Sequence, residues 1–106
     1  ILIIGMAYKG DISDCRESPG IKVWEELVKY SPQMSYHDPY ISQVYIDGKS
    51  HNSQEVSIDY LKKTDLVLIT TKHKNVDYLF VKEHSNLIFD TRNVYSKNKA
   101  DKIISL

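Results

Sequence analysis

The chain has 106 residues, 42% hydrophobic and 26% charged, an ordinary balance for a soluble globular domain, and its fourteen basic side chains offset fourteen acidic ones. One domain of this size can bury a core without disulfides or a structural metal. The zero net charge argues against a general nucleic-acid or anionic-membrane surface.

The single cysteine excludes an internal disulfide and fits a cytoplasmic chain. No apolar run approaches the roughly 18–20 residues of a membrane span, and no signal peptide is visible. The opening Ile1 falls inside strand-like sequence rather than at a start methionine, which reads as a piece of a longer protein.

Ile1-Leu2-Ile3-Ile4 is a continuous branched apolar run, the pattern of a strand buried on both faces. Gly5 ends it. Ser18-Pro19 predicts a helix start, with Ser as N-cap and Pro in the first turn. Ile21, Trp24, Leu27 and Val28 then share one helical face, and Ser31-Pro32 stops the helix. Met34 to His37 predicts a second strand, ended by Asp38-Pro39. Gln43 to Ile46, before Asp47-Gly48, reads as a short strand and turn. Ser53 or Ser57 caps a helix over roughly 57–63. Leu66 to Thr70 is the clearest strand. Asn75 to Glu83 reads as a short helix with Val76, Leu79 and Phe80 inward, and Leu87 to Asp90 as another buried strand. The tail from Ser96 is expected to close the domain as a helix, using Ile103, Ile104 and Leu106.

Buried-type strands alternating with amphipathic helices predict an α/β domain with a parallel sheet. Ligands of such sheets bind beyond the carboxyl ends of the strands. That edge would carry residues 5–18, 37–40, 70–75 and 90–95. Lys9 and Arg16 in the first of these segments suit a phosphate or carboxylate, near the positive end of the helix at Ser18, or are solvated cations. Arg92 is aimed at the same edge, to bind an anion or to pair with Asp90 or Asp14. Gly5 and Gly10 without a glycine at Ala7 do not make a dinucleotide turn. Asp38 could take ribose hydroxyls or simply turn the chain. Cys15, beside Arg16 and before a helix start, is a weak candidate thiolate. The four histidines show no metal-binding spacing.

Gly5-Met6-Ala7-Tyr8-Lys9, then Asp14-Cys15-Arg16-Glu17-Ser18-Pro19, then Tyr36-His37-Asp38-Pro39-Tyr40, and finally Asp90-Thr91-Arg92-Asn93-Val94-Tyr95 closely resemble the C-terminal domain of the UDP-glucose/GDP-mannose dehydrogenase family. The forms around Tyr36 and Arg92 look most like the branch acting on UDP-N-acetylhexosamines. The resemblance implies a Rossmann-like three-layer sandwich with a mainly parallel sheet. Residues 1–106 would be one nucleotide-sugar-binding domain of a larger cytoplasmic enzyme. That enzyme would oxidise the C6 hydroxyl of a UDP-sugar to a carboxylate with NAD, as a homodimer in polysaccharide biosynthesis. Its NAD-binding and central domains, and its catalytic cysteine, would lie outside this chain, so the fragment alone would be inactive.

The resemblance also implies that Lys9 and Arg92 contact the nucleotide sugar and that Arg16 reaches the NAD side of the cleft. It makes Cys15 a bystander at a variable position. Thr71-Lys72-His73 departs from the small-residue–Asp-His segment common among relatives, which leaves that loop's contribution open. A non-enzymatic Rossmann-like binding or assembly module is the alternative, with Tyr8, Tyr36, Tyr40 and Tyr95 as its interface.

Overall fold

The computed structural model describes residues 1–7, 10, 18–30, 32–96 and 100–105. The apolar run at the start forms β1 (Leu2–Ile4), with every residue buried. Helix α1 (Pro19–Leu27) begins as the sequence predicts: Ser18 is extended, its hydroxyl accepts from the Gly20 N–H, and Pro19 occupies the first turn. A short 3-10 turn over Val28–Tyr30 follows. Then come β2 (Ser35–His37), β3 (Gln43–Ile46), β4 (Lys49–Asn52), α2 (Ile58–Lys63), β5 (Val67–Ile69), α3 (Tyr78–His84), β6 (Ile88–Asp90) and β7 (Ile103–Ser105).

Five strands make one sheet in the order β2-β1-β5-β6-β7, and every pairing in it is parallel. The period-two alternation of strand side chains divides the core. Leu2, Ile4, Val67, Ile69 and Ile88 pack with Leu61 of α2 and Val81 of α3. Ile3, Tyr36 and Leu68 pack with Trp24 of α1 and with Val44 and Ile46 of the β3–β4 hairpin. The result is the three-layer, Rossmann-like α/β sandwich predicted.

Three elements differ from expectation. The closing helix is instead strand β7, where Ile103 and Ile104 register with Ile88 and Phe89. Two adjacent β-branched residues extend an open sheet edge more readily than they form one apolar helical stripe. The third apolar residue of the expected stripe, Leu106, lies outside the described residues. Helix α3 starts later than Asn75, because Asp77 is its N-cap and accepts from the Phe80 N–H. That register turns Leu79 outward, 63% exposed, and makes Val81 the buried contact. Strand β4 had no apolar signal, since Lys49-Ser50-His51-Asn52 is polar throughout. The turn creates it: Asp47 and Gly48 both have positive φ, 52° and 75°, as a two-residue hairpin turn requires.

Candidate functional site at the carboxyl edge of the sheet

From β1 the chain moves to β2 on one side, then passes back to β5 on the other. The carboxyl ends of β1 and β5 therefore flank the switch point, where open α/β sheets bind ligands. The backbone there is tied down residue by residue. The Gly5 N–H donates to the His37 carbonyl at 3.0 Å, and the Thr70 hydroxyl donates to the Gly5 carbonyl at 2.6 Å. The Met6 and Ala7 N–H groups donate to Asp38 Oδ2 at 2.7 and 2.9 Å. The Thr71 hydroxyl donates to the Ala7 carbonyl at 2.9 Å.

Two glycines permit this packing. Gly5 has φ +107°, and a Cβ there would stand 2.5 Å from Thr71 Cβ. A Cβ on Gly20 would stand 2.5 Å from the Gly5 carbonyl oxygen, so α1 can begin directly against the end of β1 only without a side chain at that position.

Asp38 is the hub of this edge. Besides Met6 and Ala7, the Tyr40 N–H donates to Oδ1 at 2.7 Å, and His73 Nε2 contacts Oδ2 at 2.8 Å, with both side chains fully buried. The Asp38 backbone N–H donates to Ser53 Oγ at 2.9 Å. Four N–H groups converge on the carboxylate, which has roughly four lone-pair positions to offer. The ribose-binding alternative for Asp38 is thereby corrected: its side chain is fully buried and its carboxylate is engaged by protein donors. The turn reading stands, extended by contacts to the β1 stem and the β5 loop. The Tyr40 ring lies over the His73 imidazole, centroids 4.9 Å apart.

At the end of β6, Asp90 is also buried. Its carboxylate accepts from the backbone N–H groups of Arg92 and Tyr95 at 3.1 and 2.9 Å, and Asn93 completes the turn with φ 58°. This turn directs Arg92 across to β5, where Nε donates to the Thr70 carbonyl at 2.9 Å. Among the described residues Arg92 forms no ion pair, and it is exposed. The guanidinium thus stands beside the switch point with its terminal nitrogens available to an anion. Behind it, Tyr95 donates to the Tyr78 carbonyl at 2.6 Å. Burial, reinforced by the nearby Asp90 carboxylate, pushes the Tyr95 phenol well above its usual titration range.

Of the residues named from sequence, Arg92 is placed at this edge, while Lys9, Arg16 and Cys15 lie outside the described residues. Tyr36 and Tyr95 are buried, which removes them from the interface proposed in the alternative reading. Sequence reasoning missed Gly20, Thr70, Thr71 and the inward turn of His73. Two threonines and a histidine directly after the clearest strand were the available signal. Among the described residues no cluster of histidine, cysteine, aspartate or glutamate could hold a metal ion, and no helix is long and apolar enough to cross a membrane. A concavity lined by Ile1, Met34, Tyr60 and Asp65 sits at the opposite, amino-terminal edge.

Residues 2–97 match the profile described as UDP-glucose/GDP-mannose dehydrogenase family, UDP binding domain. The chain belongs to that family. Among relatives of this UDP-binding domain, the UDP-N-acetyl-D-mannosamine dehydrogenase of Methanococcus aeolicus is 30% identical over 104 residues, covering 91% of this chain and 22% of its own length. The enzyme of that name from Methanococcus vannielii is 26% identical over 106 residues, covering 92% of this chain and 23% of its own. A solved UDP-N-acetyl-mannosamine dehydrogenase from Staphylococcus aureus superposes with TM-score 0.66 at 28% identity, covering 98% of this chain and 25% of that one. The UDP-D-ManNAc dehydrogenase structure from Pyrococcus horikoshii shares the fold, with TM-score 0.72 at 23% identity, covering 98% of this chain and 24% of that one. This UDP-binding domain therefore spans about a quarter of the length of the relatives it matches.

Proposed function

We propose that residues 1–106 form the C-terminal, UDP-sugar-binding domain of a cytoplasmic NAD-dependent nucleotide-sugar 6-dehydrogenase, of the kind that oxidises a sugar C6 hydroxyl to a carboxylate. The observation that carries the proposal is Arg92. It belongs to the family's Asp-x-Arg segment and reaches from β6 to the Thr70 carbonyl at the switch point. There a guanidinium can neutralise a diphosphate and hold it by a planar pair of hydrogen bonds. Lys9 adds a second charge to the nucleotide sugar, and Arg16 serves the NAD side of the cleft. None of the three makes or breaks a covalent bond. They position the substrate and offset its charge. The names of the relatives favour a UDP-N-acetylhexosamine as substrate and polysaccharide biosynthesis as the setting.

The described residues do not form an NAD cradle of their own. Among the described residues the first helix begins at Pro19, and in the sequence Ala7 breaks the glycine spacing of a dinucleotide turn. NAD binding is assigned mainly to the N-terminal domain of a longer chain, whose central region would support a homodimer.

Calorimetric titration of this domain with UDP tests the proposal. Binding is expected to weaken about tenfold in Arg92→Ala and in Lys9→Ala, a loss of about 1.4 kcal/mol for each. No detectable heat with millimolar UDP, or wild-type affinity in both variants, would overturn the assignment of the site.

A further inference from the structure

We propose that His73 and Asp38 act together as positioning residues for nucleotide binding, by locking the stem from which the Lys9-bearing segment departs. The inference rests on the UDP-binding assignment above.

Asp38 Oδ2 accepts from Met6 N–H, Ala7 N–H and His73 Nε2, at 2.7, 2.9 and 2.8 Å. An imidazole N–H thus completes the coordination of an oxygen that otherwise holds only the β1 stem. His73 comes from the loop after β5, Asp38 from the end of β2, and Met6 and Ala7 from the end of β1. One buried pair therefore joins three strand ends at the switch point. Ala7 is gripped twice, its N–H by Asp38 and its carbonyl by Thr71. The end of β1 is thus held from both sides at the switch point, and Lys9 follows two residues later in the sequence.

Stability alone does not account for the arrangement. Replacing a buried polar pair by apolar residues of similar volume is often neutral or stabilising. The apolar clusters on both sheet faces already hold the strands together. A satisfied polar network instead specifies one conformation of the groups it binds. Here those groups are the N–H donors of the substrate-side stem. Tyr40, whose tilted ring meets the His73 imidazole and whose hydroxyl donates to Asn75 at 3.1 Å, packs against the pair from outside.

The test compares UDP titrations of the chain carrying His73→Leu, His73→Gln and Thr71→Val with the wild type, each with a thermal melt and amide hydrogen exchange at Met6 and Ala7. His73→Leu should melt cooperatively, bind UDP about tenfold more weakly, and exchange the Met6 and Ala7 amides faster. His73→Gln restores an N–H donor and should recover most of the affinity. Thr71→Val releases the other side of Ala7 and should weaken binding in the same direction, so it decides the matter if His73→Leu does not fold. Unchanged UDP affinity in a folded His73→Leu or Thr71→Val protein would overturn the positioning role and leave the UDP-binding assignment standing. A wild-type chain that binds no UDP would overturn that assignment first.

Discussion

Asp38, Asp90 and Tyr95 carry most of the polar order of the functional edge. Each carboxylate is buried and receives backbone N–H groups from the turn it shapes. Asp38→Ala removes the acceptor for four N–H groups at once. Leaving buried donors unpaired costs about 1–3 kcal/mol each before relaxation, so this variant should unfold or melt far below the wild type. A melting temperature within a few degrees of wild type would show that the hub is dispensable. Tyr95 makes a pH-dependent contribution. An unfolded tyrosine loses its proton near pH ~10, while burial and Asp90 hold the folded proton to higher pH. The folded state then binds the proton more tightly, and the stability due to Tyr95 is complete below about pH 10. It is lost as pH rises through the folded-state titration. Tyr95→Phe should cost about 1–2 kcal/mol at neutral pH, through the lost hydrogen bond to the Tyr78 carbonyl, and should flatten the alkaline decline of denaturant midpoints. An equally steep decline in Tyr95→Phe would contradict this assignment.

The elements were legible where local chemistry and tertiary packing agree. Ser18-Pro19 carries its own capping signal, and Val67–Ile69 is a short apolar run that the middle of a parallel sheet buries on both faces. The misses arose where a neighbouring strand decided the outcome. Ile103–Ser105 became β7 because β6 offered an open parallel edge. Lys49–Asn52 became β4 because Asp47-Gly48 turned the chain back on β3. Glycine substitutions separate backbone strain from packing. At Gly48, φ is +75° but a Cβ would meet no atom within 4 Å, so Gly48→Ala should cost only about 1 kcal/mol. Gly20→Ala gains helix propensity, at most about 1 kcal/mol, yet sets its Cβ 2.5 Å from the Gly5 carbonyl oxygen. Forcing α1 off β1 should outweigh the gain by about 1–3 kcal/mol. A raised melting temperature in Gly20→Ala would show that the close contact between helix and strand carries no weight.

For the whole molecule, the family and the sheet edge were readable from ordered motifs, while the device that organises the edge was not. Tyr-His-Asp-Pro-Tyr marks Asp38, but three of the four donors to its carboxylate lie 31 to 35 residues away along the chain. Only the parallel pairing of β2, β1 and β5 brings them together. The burial of His73 was hidden for the same reason: the threonines and histidine after β5 mark the loop, but not which way the imidazole turns. The strand order makes β1 and β5 the place where a ligand meets the sheet, and Arg92 points there from β6. The central claim is that nucleotide binds at this switch point. Mapping backbone amide shifts of the labelled chain during UDP titration tests it most directly. Saturable shifts should concentrate at residues 5–7, 70–73 and 90–95, and should need about tenfold more UDP to saturate in Arg92→Ala. Shifts confined to the opposite edge around Met34, Tyr60 and Asp65, or no saturable shifts at all, would contradict it.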